Sequence, residues 1–351
     1  MNTSIKTRIE YIDFIKSIAI FLVVWAHCIQ NMGNNEDFWE NPIHIFICSF
    51  HMPIFMIMSG FFYKKNNYEN VFAIIKKKAR QLILPCFTWS IILVLITTIY
   101  KLHDGESIIF SERLYSIVYE TFTRFWFLRA VFVAYMVITI SFIIFRKDHT
   151  ACIVSVIFML LLPDSLRLAM DKFMFPFFWA GYFIHKYIDW IIDKKQIIIL
   201  VSITIFTTLL MFWKLEYYIY KSPMSLYDLA NNTITFHHLL ERIEIVSYRY
   251  LIGLFGSVFI FLSLQSIYND KLQFISKTGS YTLGIYIIHI FIEGHLLTRI
   301  NMSYLSFITY NFIITTTTSV LVIYICIFLI KLIQKNRLLN LLMLGSLPIK
   351  S

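Results

Sequence analysis

A lysine and a histidine eleven residues apart are the first side chains in this sequence that could do chemistry. Lys16 and His27 lie in the stretch DFIKSIAIFLVVWAHC, from Asp13 to Cys28, which is otherwise almost wholly apolar. An α-helix turns about 100° and rises about 1.5 Å per residue, so eleven residues return to nearly the same face about 16 Å further along. A histidine there can accept a proton near neutral pH. A packed histidine and a lysine that extends its amine to water would explain the same residues.

The next apolar stretch, SFHMPIFMIMSGFFYKK from Ser49 to Lys65, adds a second histidine. If this helix runs in the opposite direction to the first, His51 lies at nearly the depth of His27, and we expect the two histidines to meet. Ser59 and Gly60 are small residues that allow a neighbouring helix to approach closely near the inner end. The pattern predicts two packed helices that bring their histidines to one region.

A metal site is an alternative interpretation of the same stretch. His44, Cys48 and His51 follow the spacing i, i+4, i+7, which places three possible zinc ligands on one helical face. Two points oppose it, because His44 lies at the outer boundary of the apolar stretch and no acidic residue stands nearby to orient the imidazoles. We therefore expect no metal.

A cluster of positive charge precedes the third apolar stretch, in KKKARQLILP from Lys76 to Pro85. Several cations together neutralise phosphate groups, and an arginine can hold one through two parallel hydrogen bonds. Lys76, Lys78 and Arg80 could therefore bind a phosphorylated cofactor. A solvated basic loop on the cytoplasmic side of a membrane explains the same residues, and both interpretations stay open.

A further histidine lies in TGSYTLGIYIIHIF, from Thr278 to Phe291. Gly279, Ser280 and Gly284 predict a helix that packs tightly against its neighbours. His289 lies about two turns into this helix. We expect its ring to form a hydrogen bond with a neighbouring helix.

The composition identifies the class of protein. The chain has 351 residues, of which 58% are hydrophobic and only 15% are charged, whereas an ordinary soluble domain is about a quarter charged. Apolar runs long enough to cross a bilayer recur along the whole length. The net charge of +10 is explained by basic cytoplasmic loops, so we expect no nucleic acid partner.

We therefore predict an all-α integral membrane protein, a bundle of about ten transmembrane helices that forms one domain over residues 1–351. Lys and Arg are more frequent in alternate loops, which places both termini in the cytoplasm and the loop Lys214–Ile245 outside. The predicted spans are Asp13–Asn31, Ile43–Tyr63, Leu82–Tyr100, Phe125–Phe145, Thr150–Pro163, Phe173–Ile192, Ile197–Trp213, Ser247–Tyr268, Tyr281–Ile300 and Thr309–Ile333.

Five stretches together resemble a known family. They are YIDFIKSIAIFLVVWAH, FHMPIFMIMSGFFYKK, RQLILP, FWFLRAVF and GSYTLGIYIIH, which cover the chain from Tyr11 to His289. In this order they resemble the membrane-bound acyltransferase family 3, which includes polysaccharide O-acetyltransferases, and especially its fucose 4-O-acetylase-like branch. Each stretch is short and mostly apolar, so the resemblance depends on all five occurring in order.

The resemblance implies transfer of an acyl group, most often acetyl from acetyl-CoA, to a hydroxyl of a cell-envelope or exopolysaccharide sugar. The family commonly has Arg where this chain has Lys16, which offers a point charge and no planar fork. The implied roles are catalytic for His27, Lys16 and His51, donor binding for Lys16, Lys76, Lys78 and Arg80, and substrate binding for Trp126, Arg129, Ser59, Tyr286 and His289.

The resemblance also implies a multi-pass protein of a bacterial-type cytoplasmic (inner) membrane. Its partners would be the lipid bilayer, an acyl-CoA, and a glycan or lipid-linked sugar as acceptor. A transporter or flippase of a glycan precursor is an alternative, although it predicts internal repeats and charges along a substrate path, and neither is clear in the sequence. A membrane scaffold would explain the apolar spans but not the shared face of Lys16 and His27.

Overall fold

The computed structural model describes residues 10–33, 37–65, 71–162, 168–218, 236–302 and 304–346. All regular secondary structure within these ranges is helical, in agreement with the predicted all-α class. The N-terminal tail and most of the loop Lys214–Ile245 lie outside the described residues. The predicted cytoplasmic termini and the external position of this loop therefore stay predictions.

The α-helices follow one another along the chain, mostly after short connections; the longest interval, residues 212–235, is described only as far as Tyr218. A π-helix, Thr309–Ile314, runs directly into the α-helix Thr315–Gln334, and the connection between the α-helices Glu10–Met32 and Pro42–Phe61 contains the 3₁₀ turn Asp37–Glu40. The α-helices are α1 (Glu10–Met32), α2 (Pro42–Phe61), α3 (Val71–His103), α4 (Phe110–Thr123), α5 (Trp126–Ile144), α6 (Asp148–Leu161), α7 (Leu168–Lys186), α8 (Ile188–Asp193), α9 (Lys195–Met211), α10 (Phe236–Ile267), α11 (Gln273–Gly279), α12 (Thr282–His295), α13 (Thr315–Gln334) and α14 (Arg337–Leu344).

Six helical segments of the described residues are long and apolar enough to cross a membrane. A seventh candidate consists of Asp270–Gly279 and Thr282–Arg299, which are bent by 59° at the break between them. Asp148–Leu161 and Lys195–Met211 are shorter apolar helices. The six segments are Glu10–Met32, Pro42–Phe61, Val71–His103, Trp126–Ile144, Leu240–Ile267 and Thr309–Gln334. The predicted number of ten spans stays a prediction.

The chain forms two compact units. The first comprises Met1–Phe55, Trp190–Phe212 and Ile252–Ile330, and the second comprises Met56–Asp189, Trp213–Leu251 and Lys331–Ser351. The single domain expected from the sequence stays a prediction.

In the first unit, α1 packs against α11 and α12. Ile12, Ile15 and Ile20 of α1 are completely buried, as expected for an apolar helix in contact with other helices. The hydroxyl of Ser17 donates a hydrogen bond of 2.7 Å to the carbonyl oxygen of Ile275 on α11. The helix that carries Lys16 and His27 is therefore an internal element of this unit.

In the second unit, the last turns of α2 cross α7 at two glycines. A Cβ atom at Gly60 would lie 1.9 Å from the carbonyl oxygen of Phe178, and one at Gly181 would lie 2.0 Å from that of Ile57. No other residue type fits either position without moving a backbone. The close approach predicted for Gly60 is confirmed, and its counterpart on α7 is Gly181.

Candidate active site

The helix α1 carries both Lys16 and His27, and their eleven-residue separation places them on one face of it. Both side chains are half-buried. Ile20 and Val23, which lie between them along this face, are 0% and 1% exposed. The two polar groups are therefore separated by packed apolar side chains. Lys16 forms an ion pair with Asp13 one turn earlier, with 3.6 Å between Nζ and Oδ1.

The ring of His27 is oriented by Gln30, because His27 Nδ1 lies 3.2 Å from Oε1 of this glutamine. An amide oxygen can only accept a hydrogen bond, so Nδ1 carries the hydrogen in this contact. In the neutral ring the other nitrogen, Nε2, then keeps its lone pair. A neutral imidazole held in this tautomer is the form that a general base requires.

His289 of α12 lies directly against His27, with 5.4 Å between the ring centroids. Its Nδ1 donates a hydrogen bond of 2.8 Å to the carbonyl oxygen of Ile285 in the same helix. Its Nε2 is buried and has no hydrogen-bond partner among the described residues. The expected hydrogen bond to a neighbouring helix is wrong, because the only hydrogen bond of the ring among the described residues is the one from Nδ1 to a carbonyl oxygen of the same helix. Tyr286 is half-buried, with its ring centroid 5.9 Å from that of His289.

The sequence analysis missed Glu293, a carboxyl group within the same buried cluster. Its Oε2 lies 4.0 Å from Nε2 of His289, and its Oε1 lies 3.8 Å from the thiol of Cys28 on α1. Glu293 is 1% exposed. An acidic residue in an apolar helix, four residues after a histidine, was the signal that could have revealed it.

The histidines of α2 belong to the same unit as His27. His51 donates from Nδ1 to the carbonyl oxygen of Ile47 at 2.9 Å, and the expected meeting of His51 with His27 stays a prediction. His44 contacts Cys48, with 3.5 Å between Nε2 and Sγ. Within the described ranges, no group of three or more His, Cys, Asp or Glu side chains has an arrangement suited to a metal ion.

A polar network fixes the last turns of α1 near His27. The indole nitrogen of Trp25 donates to the carbonyl oxygen of Asn311 in the π-helix at 3.1 Å, and the hydroxyl of Tyr310 donates to that of Ile29 at 2.7 Å. The side chain of Asn311 accepts a hydrogen bond of 2.8 Å from Asn41, just before α2. π-Helices occur frequently at functional sites. Here hydrogen bonds of the π-helix connect α1 with the residue that precedes α2.

The basic cluster lies in the second unit, on the first turns of α3. Lys76 and Lys77 are exposed, while Lys78 and Arg80 are half-buried. The ammonium group of Lys78 lies 4.3 Å from the ring centroid of Tyr135. Nε of Arg80 is buried without a hydrogen-bond partner among the described residues. A joint role of this cluster with Lys16, which is in the other unit, stays a prediction.

Three of the residues predicted to bind the substrate, Ser59, Trp126 and Arg129, also lie in the second unit. Arg129 forms a buried, two-contact ion pair with Asp171, at 3.0 and 3.3 Å, and donates a further hydrogen bond of 2.5 Å to the carbonyl oxygen of Phe122. Trp126 is buried and Ser59 is half-buried. These contacts give Arg129 protein partners, and substrate roles for the three residues stay predictions.

Comparison with known proteins identifies the family. The profile of the acyltransferase domain, Acyl_transf_3, matches residues 9–333. The chain belongs to this acyltransferase family. The predicted resemblance is confirmed, and the apolar helices make the protein a multi-pass membrane acyltransferase.

Two curated relatives of this acyltransferase carry the name nodulation protein NolL. One, from Mesorhizobium japonicum, is 28% identical over 230 residues, which are 62% of this chain and 59% of the relative. The other, from Sinorhizobium fredii, is 26% identical over 181 residues, which are 50% of this chain and 49% of the relative. The matched regions thus span about half to three fifths of the curated relatives. No solved structure matches the chain.

The acyltransferase carries one ion network outside its long apolar helices. Asp148, the first residue of α6, accepts hydrogen bonds from Lys186 at 2.6 Å, Lys65 at 2.9 Å and Tyr182 at 2.9 Å. Partial burial by itself raises the pKa of Asp148, but the hydrogen bonds from these three donors outweigh it and lower the pKa to about 2. The carboxylate is therefore ionised throughout the physiological pH range.

Proposed function

We propose that this membrane acyltransferase transfers an acetyl group from acetyl-CoA to a hydroxyl of a cell-envelope or exopolysaccharide sugar. It would do so as a multi-pass protein of a bacterial cytoplasmic membrane. The family supports an acyl donor, and the resemblance to the fucose 4-O-acetylase-like branch supports acetyl-CoA and a sugar acceptor.

The observation that carries the proposal is the environment of His27. Its Nδ1 is held by Gln30 and its ring is packed against His289, so Nε2 has a lone pair and a fixed direction. An alcohol is a poor nucleophile near neutral pH, and it reacts with a thioester when a base removes its proton during attack. His27 supplies that base, in the tautomer that this role requires.

The reaction needs only one proton carrier. Nε2 of His27 takes the proton of the acceptor hydroxyl while the oxygen of this hydroxyl bonds to the carbonyl carbon of the thioester. The carbon–sulfur bond then breaks, and the leaving sulfur receives the proton from His27, so that free CoA departs as a thiol. Protons and charge balance, and His27 returns to its neutral form.

The cationic side chains supply donor affinity in this proposal. Lys76, Lys78 and Arg80 interact with the phosphate groups of CoA, for which several positive charges are needed. Lys16 adds a further charge at the inner end of α1. Because Ile20 and Val23 are buried between Lys16 and His27, these side chains must move if the acyl arm follows this face.

The test is acetyl transfer by purified protein in lipid nanodiscs. Acetyl-CoA labelled in the acetyl group is incubated with an envelope glycan fraction, and label in the glycan is measured by mass spectrometry together with release of free CoA. We expect labelled glycan with wild-type protein and none with His27→Ala at equal amounts of folded protein.

A transporter of a glycan precursor gives a different result, because it moves the precursor without consuming acetyl-CoA. Absence of both label and CoA release with folded wild-type protein would contradict the proposed function.

A further inference from the structure

The short helix α14 begins and ends with well-defined caps and lies beyond the range matched by the family. Asn336 accepts hydrogen bonds from the backbone nitrogens of Leu338 and Leu339 at 2.9 and 3.1 Å, as a good N-cap does. Gly345 follows the last turn with φ of +63°, the left-handed conformation that favours glycine at this position. The family match ends at residue 333. The helix is therefore an addition to the matched domain.

This helix docks on the turns of α3 that carry the basic cluster. A Cβ atom at Gly345 would lie 2.6 Å from the carbonyl oxygen of Arg80 and 2.7 Å from that of Gln81. At a second point, the indole nitrogen of Trp89 donates a hydrogen bond of 3.0 Å to the carbonyl oxygen of Met343. All these residues belong to the second unit. Backbone meets backbone at Arg80, so α14 constrains the turn from which this arginine extends.

The junction leaves polar groups unsatisfied on both of its sides. Nε of Arg80 and Oδ1 of Asn340 are buried, and neither has a hydrogen-bond partner in the part of the chain that the structure describes. Buried polar atoms are paired in the great majority of cases, so these two atoms, on the two helices that pack together here, are available to bind a further polar group. α14 contains no acidic residue, so its docking brings no carboxylate to Arg80.

The chemistry of the surroundings favours an anion with several oxygen atoms. Lys76 and Lys77 are exposed one turn before Arg80, and Lys78 is held at the ring of Tyr135. A guanidinium group binds phosphate through parallel hydrogen bonds, and an amide next to it can complete the contact. The phosphate groups in the CoA part of acetyl-CoA, the donor in the proposed function, are anions of this kind.

We propose that α14 is part of the donor-binding site, because its docking at Gly345 and Trp89 holds Arg80 in the orientation that binds a phosphate group of CoA. The inference rests on the proposed function for the identity of the donor. It assigns a positioning role to residues 337–345, which lie outside the matched family range.

The test compares two glycines that both have a positive φ but differ in the atoms around them. Gly345 and Gly105 both have positive φ, but a Cβ atom at Gly105 meets nothing within 4 Å. Equilibrium binding of coenzyme A is measured by calorimetry on the full chain in nanodiscs, for Gly345→Ala and Gly105→Ala. We expect the Kd for CoA to rise about tenfold in the first variant, which corresponds to the loss of one charge-assisted hydrogen bond. The matched control should bind like the wild type.

A milder variant and a double variant separate positioning from general instability. Trp89→Phe removes the hydrogen bond to Met343 but keeps an aromatic ring, and we expect a rise in Kd of about threefold, in line with the loss of one neutral hydrogen bond. If α14 acts through Arg80, adding Gly345→Ala to Arg80→Gln should not weaken CoA binding further.

Wild-type affinity for CoA in folded Gly345→Ala, or an undiminished effect of this change in the Arg80→Gln background, would overturn the inference while leaving the proposed function intact. If the folded wild-type protein does not bind CoA at all, the proposed donor is wrong and the inference is overturned with it.

Discussion

The region around His27 and the region around Arg80 both depend on polar side chains, but their physical construction differs. His27, His289 and Glu293 lie among apolar helices, where single atoms meet at defined distances and two of the three side chains are almost fully buried. Lys76, Lys77 and Arg80 lie on the first turns of α3, where positive charge accumulates; two of the three side chains are exposed and the third is half-buried.

The difference teaches what each region can contribute to an acyl transfer. A half-buried histidine with one fixed tautomer acts on a proton in the transition state, and its effect depends on ångström-scale geometry. A cluster of cations attracts phosphate in the ground state and the transition state alike, and its effect depends on the number of charges. Substitutions in the first region should therefore change kcat, and those in the second should change KM for the donor.

The largest effect is expected for His27→Ala. Loss of a general base typically lowers the rate about 10²- to 10⁴-fold, and we expect a decrease of kcat in this range with donor binding retained. Acetyl transfer is measured per folded, membrane-inserted molecule. His149→Ala is the control, because this exposed histidine stacks on Phe183 in the other unit. Full specific activity in His27→Ala would remove the catalytic assignment of this residue.

Neutralising the basic cluster should have the next largest effect, and on a different kinetic parameter. We expect Lys78→Gln combined with Arg80→Gln to raise KM for acetyl-CoA about 10- to 100-fold, a loss of about 1.4 to 2.8 kcal/mol for the pair, because solvent weakens the charge contacts of half-buried side chains. The value of kcat should change little. The double change Lys194→Gln and Lys195→Gln removes the same charge elsewhere and should leave KM unaltered. If both double variants have the same KM for acetyl-CoA, the basic cluster serves only to orient the protein in the membrane.

Substitution of Lys16 tests whether the N-terminal end of α1 acts in catalysis with His27 or in donor binding with the basic cluster. We expect Lys16→Ala to raise KM for acetyl-CoA by about threefold to tenfold, as removal of one charge contact does. Lys16→Arg should keep activity, because a guanidinium group can both pair with Asp13 and meet an anion. Steady-state kinetics at a series of acetyl-CoA concentrations separate the change in KM from the change in kcat. A loss of kcat with unchanged KM would place Lys16 with His27 instead.

The smallest effect is expected at Asp148, which belongs to neither region. Its folded pKa of about 2 lies below the unfolded value of about 3.9, so the ionised network stabilises the fold above the latter pH and loses this contribution as the pH falls toward 2. We expect Asp148→Asn to cost about 1 kcal/mol or less at pH 7 and much less at pH 2, where half of the folded molecules have the carboxyl group protonated.

Thermal unfolding of detergent-solubilised protein at a series of pH values measures the effect of Asp148→Asn. Asp193→Asn, in an exposed pair with Lys194, is the control and should not change stability. Acetyl transfer should be unaffected in both variants. A difference between wild type and Asp148→Asn that persists undiminished at pH 2 would contradict the role given to the ionised network.

Several features of the candidate site followed from the sequence because they are local. The face shared by Lys16 and His27 depends only on helical geometry, and α1 runs without interruption through both residues. The close approach at Gly60 followed from its lack of a side chain. The expected hydrogen bond of His289 to another helix was wrong, since the carbonyl oxygen of Ile285 was available within the same helix. Glu293 was missed although its position in an apolar helix was visible.

By itself, the sequence determined that this is a helical membrane protein of the acyltransferase family, with candidate groups at Lys16, His27 and the cluster that ends at Arg80. Composition and hydrophobic runs fix that class because bilayer thickness and backbone hydrogen bonding leave few alternatives. Only the tertiary structure decided that His289 is the ring in contact with His27 and that α14 docks on α3 at Arg80. Those contacts join residues more than 250 positions apart. Many apolar helix faces in this chain are similar, and which two of them pack together depends on the fit of their side chains, which a local sequence pattern does not predict.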